Sequence, residues 1–485
     1  MEQSKLKFLK NMVGFSMVTW ISFVLGFIAS PIATRLFPTE EMGRLNQFTN
    51  YATLFSSICY LGMDQAFVRF FREMPGKMTR KSLFTFCTLV PLAFCLLVTL
   101  ALGFFWQSVS AEIVGQPDIS VYACLAIYSF SLVVYRFLAL SYRMEQNALL
   151  YTIQGVLHVL LTKIAYLAVG FSRPVGKAAM ISLTALMGVF TLVFVFVQRK
   201  RFDAAFLKQT DRKSAAAIGM LALPLVPLSL LSWLNSSISP VILKHLMGYS
   251  ATGIYTSALG LASTINIIQT GFNTYWAPYV LENYQGDDSR RFYTVHRLMA
   301  CMLTLFGLGI TILQTPVFML LGKAYRSSVV FFPFLFMSPI CYCLGETTGM
   351  GILISKKTYW TTIIFLFSAA ANIALCFLFI PMMGMAGAAL ASAASAVLTL
   401  LLRSGVGERY YKVLESWRYL AYTIALMAVA SFGNLWLTGA AKYALLVGVL
   451  AAACLLFRSE IRTLWKAAGQ ILAVLLKRFR RGKQS

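Results

Sequence analysis

Two cations lie one helical turn after a proline, at matching places in apolar segments of the chain. The motif SPIATR at residues 30–35 ends in Arg35, and 209 residues further the motif SPVILK at residues 239–244 ends in Lys244. A cation at the centre of a membrane helix costs roughly 2.5–3.5 kcal/mol. A duplicated cost of this kind predicts that two halves of the chain converge on one anionic substrate.

Three further cations extend this predicted anion site. Lys163 is the most deeply placed, about sixteen residues into an apolar segment. Arg69 and Arg136 lie nearer to the cytoplasmic ends of their segments, and Arg136 shares a helical face with Arg143. Two alternatives remain open: Arg35 extends to the outer interface, and Arg69 marks topology or pairs with an acid on another helix.

Two acids inside apolar segments are the candidates for ion coupling. Asp64 lies in LGMDQAFVRFFR and Glu346 in CYCLGETTGMG. Either carboxylate could bind H⁺ or Na⁺, because intramembrane acids commonly mark ion pathways. The alternative for both is a structural pair with a cation on a neighbouring helix.

An amide-rich helical face is the candidate contact for sugar. Asn266, Gln269 and Asn273 follow at steps of three and four residues, with Trp276 three residues further. Amide and indole groups can bind a sugar by hydrogen bonding and stacking. The alternative is hydrogen bonding between helices, which is the common role of amides in membrane bundles.

Long apolar segments must position these residues. The chain has 59% hydrophobic and 12% charged residues, so it is a membrane protein. Backbone groups in lipid need internal hydrogen bonds, and alternating barrel strands are absent, so the sequence predicts an all-α polytopic membrane protein. We predict about fourteen transmembrane helices, at 11–36, 44–71, 82–107, 119–142, 148–171, 176–198, 214–246, 250–281, 294–321, 327–354, 359–381, 385–403, 416–437 and 442–457.

The net charge of +25 reflects membrane topology and not nucleic-acid binding. With the N-terminus in the cytoplasm, 33 of the 42 Lys and Arg residues fall on the cytoplasmic side. Such a bias is the positive-inside rule. Arg35 and Lys244 belong to the eight cations on the outer side, where topology does not require them.

Internal duplication divides the chain after the sixth segment. Gly43 and Gly253 are 210 residues apart, GKAA at 176–179 precedes GAAL at 387–390 by 211, and the hydrophilic connection 199–213 lies between the halves. An even number of helices in each half gives a parallel repeat. The predicted organisation is an N-terminal lobe over 1–204, a C-terminal lobe over 205–404, two added helices over 405–457 and a basic amphipathic cytoplasmic tail over 458–485.

Prolines in the first and seventh segments predict helix breaks and a moving gate. Proline removes a backbone hydrogen bond, which membrane helices tolerate where backbone lines a cavity or where neighbouring groups satisfy it. The gate candidates are Pro31, Pro224, Pro227 and Pro240.

The sequence offers no enzyme signature. There is no phosphate-binding GxxxxGK[ST], no HExxH and no suitable GxSxG, and the nine cysteines lack a CxxC pair. We therefore predict a transporter with no cofactor, no metal site and no catalytic residues.

The fourteen segments and several motifs resemble a transporter family. The segment at 355–396 contains Lys-Lys-Thr, Ile-Pro and Gly-Ala-Ala elements, and Arg35-Leu-Phe with Gly43 is similar to the family's first-loop pattern. They resemble the polysaccharide-transporter (Wzx-type flippase) branch of the multidrug/oligosaccharidyl-lipid/polysaccharide (MOP) superfamily. The two added helices are more similar to lipid II flippases, although the eighth segment lacks the arginine that those proteins carry.

The resemblance implies a MATE-like MOP fold and a flippase that works by alternating access. Its substrate would be a polyprenyl-diphosphate-linked oligosaccharide for O-antigen, capsule, lipopolysaccharide or a similar polysaccharide. Expected partners are this lipid-linked substrate, membrane lipids, glycan-assembly proteins and H⁺ or Na⁺, in a bacterial cytoplasmic membrane with both termini inside. Two alternatives stay open: a multidrug or cation antiporter of the same fold, and a membrane-embedded glycan polymerase or glycosyltransferase.

Overall fold

The computed structural model describes residues 2–263, 265–284, 289–466 and 469, without the side chains of 2–16, 267, 268, 270, 274, 275 and 289. Helices make up 87% of the structure, and the described part of the chain contains no strand. This confirms the predicted all-α membrane fold.

The described part of the chain contains twenty α-helices. They are α1 (Glu2–Leu36), α2 (Thr39–Cys59), α3 (Met63–Phe70), α4 (Arg80–Gly103), α5 (Trp106–Val114), α6 (Ile119–Met144), α7 (Ala148–Lys163), α8 (Gly176–Gln198), α9 (Phe206–Gln209), α10 (Arg212–Ala222), α11 (Leu225–Ala262), α12 (Ile265–Asn283), α13 (Ser289–Ile312), α14 (Gln314–Met319), α15 (Phe332–Thr348), α16 (Met350–Ile354), α17 (Tyr359–Met383), α18 (Met385–Tyr410), α19 (Arg418–Trp436) and α20 (Gly439–Leu456). Among the same residues, three 3₁₀ helices span Ala165–Phe171, Arg199–Arg201 and Lys323–Val330.

Eleven helices of the described chain are long and apolar enough to cross a membrane, or twelve if the broken pair Lys323–Val330 and Phe332–Thr348 is one span. The predicted count of about fourteen stays a prediction, because this criterion considers only helix length and composition. Helix α2 does not qualify; it carries polar Asn46, Gln47 and Asn50. The 51-residue stretch Arg212–Ala262 counts once, although at 1.5 Å per residue it is longer than twice a roughly 30 Å hydrocarbon core.

The chain forms two compact units. One comprises Met1–Ile267 and Leu320–Arg326, and the other comprises Ile268–Met319 and Ser327–Ser485. Helices α10 and α11, which the sequence assigns to the second lobe, pack within the first unit. The predicted lobes over 1–204 and 205–404 therefore stay a prediction based on the internal repeat.

Short polar side chains begin several of these helices. Asp118 accepts a hydrogen bond from the backbone N–H of Ser120 at 3.0 Å, and Asn147 accepts one from Leu150 at 3.2 Å. Such caps satisfy backbone donors that have no partner inside the helix. They fix where the membrane-crossing helices begin.

The gate prolines have different local settings. The chain is interrupted at Leu223 and Pro224, between α10 and α11, and Pro227 follows in the first turn of α11. Pro31 and Pro240 lie inside α1 and α11. Helix α11 itself is broken at Gly248, whose φ of 82° is in the region that favours glycine. Gly248 lies between the predicted segments 214–246 and 250–281.

Helices α2 and α11 meet along a surface where repeat-related residues touch each other. The Thr39 and Ser250 hydroxyls are 2.7 Å apart and differ by 211 in sequence, and Asn46 Nδ2 donates to Thr256 Oγ1 at 2.7 Å across 210 residues. A methyl group on Gly43 would overlap the Tyr249 carbonyl, and one on Gly253 would overlap that of Thr39. We call this surface, Thr39–Asn46 against Tyr249–Thr256, the α2–α11 seam.

The basic tail predicted over 458–485 lies mostly outside the described residues. Within the described part, residues 458–466 are helical, and Glu460, 2% exposed, pairs with Arg297 of α13. This pair fixes the beginning of the tail against the second unit, and Arg458, Arg462 and Lys466 are exposed.

Candidate functional site

Arg35 lies in the last turn of α1, at an end held by backbone contacts. Thr34 Oγ1 accepts a hydrogen bond from the backbone N–H of Gly322 at 3.2 Å, and the Tyr325 hydroxyl donates to the Phe37 carbonyl at 2.9 Å. The Arg35 side chain is exposed and, among the described residues, has no hydrogen bond or ion pair. Its charge is therefore available to an anion.

Lys163 ends α7 and is a second cation without a described partner. Its side chain is exposed, and no hydrogen bond or ion pair joins it to another described residue. The neighbouring His158 is held by a stacked contact with Tyr135, with ring centroids 3.9 Å apart. The predicted direction of Lys163 toward a cavity stays a prediction.

Lys244, the repeat partner of Arg35, is in contrast only 7% exposed and already paired. Its Nζ donates to the Glu112 carboxylate and, at 2.8 Å, to the Glu112 carbonyl. The same carboxylate accepts a hydrogen bond from the Tyr51 hydroxyl at 2.6 Å and lies 3.0 Å from His245 Nε2. The Tyr249 hydroxyl completes this group, which we call the Glu112 cluster: Tyr51, Glu112, Lys244, His245 and Tyr249.

The cluster depresses the pKa of Glu112, which lies on the short helix α5 outside the candidate spans. Burial raises this pKa, but hydrogen bonds from Lys244 and Tyr51, and the charges of Lys244 and His245, outweigh it. Glu112 is thus held as a carboxylate. The predicted contact of Lys244 with a diphosphate stays a prediction for a state in which Glu112 has left it.

Asp64 and Arg136 form an ion pair inside the first unit. The Arg136 guanidinium donates through Nη2 at 2.7 Å and through Nε at 3.2 Å to Asp64 Oδ2. Asp64 is buried, and the Arg136 side chain is 43% exposed. The structural alternative for Asp64 therefore applies in this conformation, while an ion-coupling role stays a prediction.

Arg69 belongs to the protein surface. It pairs with Glu73 one turn further at 3.1 Å, and both side chains are largely exposed. An exposed pair of this kind contributes little to stability. The structure does not bring Arg69 into the buried pair of Asp64 with Arg136.

In the second unit, Glu346 of α15 is paired with Arg403 of α18. The two carboxylate oxygens accept hydrogen bonds from the two Nη atoms, each at 2.9 Å, and both side chains are largely buried. Two-pronged geometry of this kind gives a strong and directional contact. Glu346 is therefore neutralised by an arginine, and its ion-coupling role stays a prediction.

Trp276 is part of a hydrophobic core in this conformation. It is 2% exposed, packs with Phe292 and Met350, and donates its indole N–H to the Glu346 carbonyl at 3.1 Å. This burial leaves no open ring face for a sugar. Gln269 and Asn273 are partly exposed and Asn266 is exposed, so their predicted sugar contacts stay predictions.

Sequence reasoning did not identify Glu112 or Arg403. Glu112 is 132 residues from Lys244, in a short helix after the third predicted segment. A usable signal existed, because a buried lysine requires an acid on the same side of the membrane. Arg403 ends the predicted segment 385–403 on its cytoplasmic side, where the positive-inside rule already accounts for a cation.

The comparisons with known proteins agree with this architecture. The profile of the family described as Polysaccharide biosynthesis protein matches residues 8–284, more than half of the chain. The chain belongs to this family. No curated protein matches it in sequence.

Solved structures similar to this chain are MOP-superfamily transporters. The lipid II flippase MurJ, in an inward closed conformation, is 16% identical over 93% of this chain and 99% of its own, with a TM-score of 0.63. A multidrug resistance MATE transporter in an inward-facing conformation is 14% identical over 82% and 95%, with a TM-score of 0.57. A MATE structure in complex with MaL6 is 17% identical over 85% and 96%, also at 0.57. The MATE-like MOP fold that the resemblance implies is confirmed.

Proposed function

We propose that this family member is a flippase that moves a polyprenyl-diphosphate-linked oligosaccharide across a bacterial cytoplasmic membrane. Membership in a polysaccharide biosynthesis family and a MOP-type transporter fold support a role in moving a glycan precursor. In this proposal, lobes 1–204 and 205–404 rock about the substrate, both termini are cytoplasmic, and the polyprenyl chain stays in lipid.

The observation that carries the proposal is the balance of paired and unpaired charge. Both acids predicted inside the membrane, Asp64 and Glu346, are neutralised by arginines. Arg35 and Lys163 have no acid partner among the described residues. An uncompensated positive charge attracts an anion and repels a cation, so a diphosphate suits this chain better than a cationic drug.

The test measures the contribution of these two cations to transport. Arg35→Ala and Lys163→Ala should each slow the transfer of a fluorescent polyprenyl-diphosphate oligosaccharide in proteoliposomes by about tenfold or more, since a charge-assisted contact contributes about 1.5–3 kcal/mol. Arg35→Lys should retain part of the rate. Lys200→Ala is the matched control, because it removes one exposed cation from the hydrophilic connection 199–213.

Normal transport by both alanine variants would refute the anion site. Equal slowing by Lys200→Ala would mean that overall charge matters and these positions do not. Protein amounts in the liposomes must be matched, so that a loss of transport is not a loss of folded protein.

A further inference from the structure

The Glu112 cluster connects two parts of the chain that the proposed transport cycle must separate. Glu112 and Tyr51 belong to the predicted N-terminal lobe, and Lys244, His245 and Tyr249 belong to α11 of the predicted C-terminal lobe. The cluster adjoins the α2–α11 seam, since Tyr249 supplies a carbonyl to the seam and a hydroxyl to the Glu112 carbonyl. Both features lie within the first compact unit.

We propose that Glu112 is a proton-binding site that latches the α2–α11 seam, so that its protonation releases Lys244 and opens the seam. This inference rests on the proposed function, in which the lobes rock, and it names H⁺ as a coupling ion and a carboxylate that carries it. The charge distribution assigns this end of α11 to the outer side, so the proton comes from outside.

The latch depends on a buried lysine that has one carboxylate partner. Lys244 is 7% exposed, and its described polar contacts are to the carboxylate and the carbonyl of Glu112. A protonated Glu112 carries no charge and cannot neutralise the ammonium group. Because an unpaired buried charge is strongly unfavourable, Lys244 must then move toward water, and α11 must move with it.

The surroundings of Glu112 determine the direction of the pH effect. The titratable groups at the Glu112 carboxylate are Tyr51 from α2 and Lys244 and His245 from α11, and Tyr249 of α11 donates to the Glu112 carbonyl. No described hydrogen bond or ion pair joins the Glu112 side chain to α4 or α6, which also pack on α5. With the latch closed, these partners hold the pKa of Glu112 below its usual value. With Lys244 gone, its hydrogen bond and its charge no longer lower this pKa, so the pKa rises. Protons therefore bind the open state more tightly, and acid favours opening.

Disulfide formation across the α2–α11 seam can report whether the seam is closed. Cysteines in place of Thr39 and Ser250, whose hydroxyls are 2.7 Å apart, should form a disulfide when the seam is closed. The full-length protein in membranes, without substrate, is oxidised for a fixed time at pH values from 8 to 3, because the closed latch keeps the pKa of Glu112 below its ordinary value. Each variant is compared with the parent at the same pH, because thiol reactivity itself changes with pH.

Glu112→Gln should lower the cross-linking rate at pH 8 by about fivefold, which corresponds to about 1 kcal/mol. The ratio of the parent rate to the Glu112→Gln rate should approach one as the pH falls, because the parent becomes protonated. Asp118→Asn is the matched control: it removes another carboxylate paired with a lysine, Lys177 at 2.6 Å, while the asparagine still caps α6. It should behave as the parent does.

Tyr51→Phe is a second, gentler variant. It removes only the hydroxyl that donates to the Glu112 carboxylate, so the pKa of Glu112 rises and the seam should open at a higher pH than in the parent. The proposal is refuted if Glu112→Gln cross-links as fast as the parent at pH 8, or if the ratio stays constant with pH. Should Glu112→Gln fail to fold, an unchanged midpoint in Tyr51→Phe refutes it.

The latch experiment and the transport experiment fail separately. Cross-linking needs no substrate, so normal transport by Arg35→Ala and Lys163→Ala would refute the anion site and leave the latch result intact. A cross-linking rate that does not depend on Glu112 would refute the latch and leave the proposed anion site unaffected.

Discussion

At the scale of single residues, the contribution of each acid to stability depends on its ion-pair partner and on burial. The Glu346 carboxylate accepts hydrogen bonds from both Nη atoms of Arg403, whereas the ion pair of Arg69 with Glu73 is exposed to solvent. Breaking a buried pair leaves one charge without a partner and costs about 3–5 kcal/mol, while an exposed pair contributes about 0–1 kcal/mol. Burial and geometry therefore decide what each pair contributes.

Arg403→Met should lower the melting temperature of the purified protein several times more than Arg69→Met does. The physical reason is the Glu346 carboxylate, which stays largely buried after its partner is removed. The double variant Glu346→Leu with Arg403→Met should recover part of the loss, since it removes both charges. Melting followed by intrinsic fluorescence in detergent measures all four proteins, and equal losses in the two arginine variants would contradict this account.

The sequence does not determine which residues of the site form ion pairs with each other. Asp64 and Glu346 are recognisable as unusual, because acids are rare in apolar segments. Their partners Arg136 and Arg403 lie on other helices, 72 and 57 residues away. The prediction for Trp276 has the same limitation in its sequence signal. A helical face with amides and an indole has the same sequence pattern whether it lines a cavity or packs into a core.

At the scale of helices, the seam between α2 and α11 depends on two glycines. Gly43 and Gly253 each face the backbone of the opposite helix so closely that a methyl group would overlap a carbonyl oxygen. Small residues allow membrane helices to approach in this way. The sequence signalled these glycines through their spacing of 210 residues, but it did not reveal that the two copies touch.

Gly43→Ala and Gly253→Ala should each push α2 away from α11. We expect a slower disulfide between cysteines at Thr39 and Ser250, and a lower melting temperature. Gly260→Ala is the matched control on α11, because a methyl group there meets no atom within 4 Å. In that open position alanine should be neutral or should stabilise the protein by up to about 1 kcal/mol. An unchanged disulfide rate and melting temperature in both Gly43→Ala and Gly253→Ala would contradict the close approach of the two helices.

At the scale of the whole molecule, composition and charge were sufficient to predict an all-helical membrane protein. Lipid forces backbone hydrogen bonds into helices, so long apolar segments have one outcome. An apolar criterion alone does not recognise α2, whose Asn46, Gln47 and Asn50 form hydrogen bonds with α11. Hydropathy measures lipid exposure well and burial against protein poorly.

The topology makes a prediction that concerns the entire chain. If the cationic connection 199–213 is cytoplasmic and the connection after Phe171 is outside, Lys208 and Ser172 lie on opposite sides of the membrane, and both are exposed. In a Cys454→Ser background, where the other eight cysteines are buried, Ser172→Cys should react with a membrane-impermeant maleimide in intact cells. Lys208→Cys should react only after the membrane is opened. The opposite labelling would invert the positive-inside assignment, and Arg35, Lys244 and the Glu112 latch would then face the cytoplasm, so that an inner proton would open the seam.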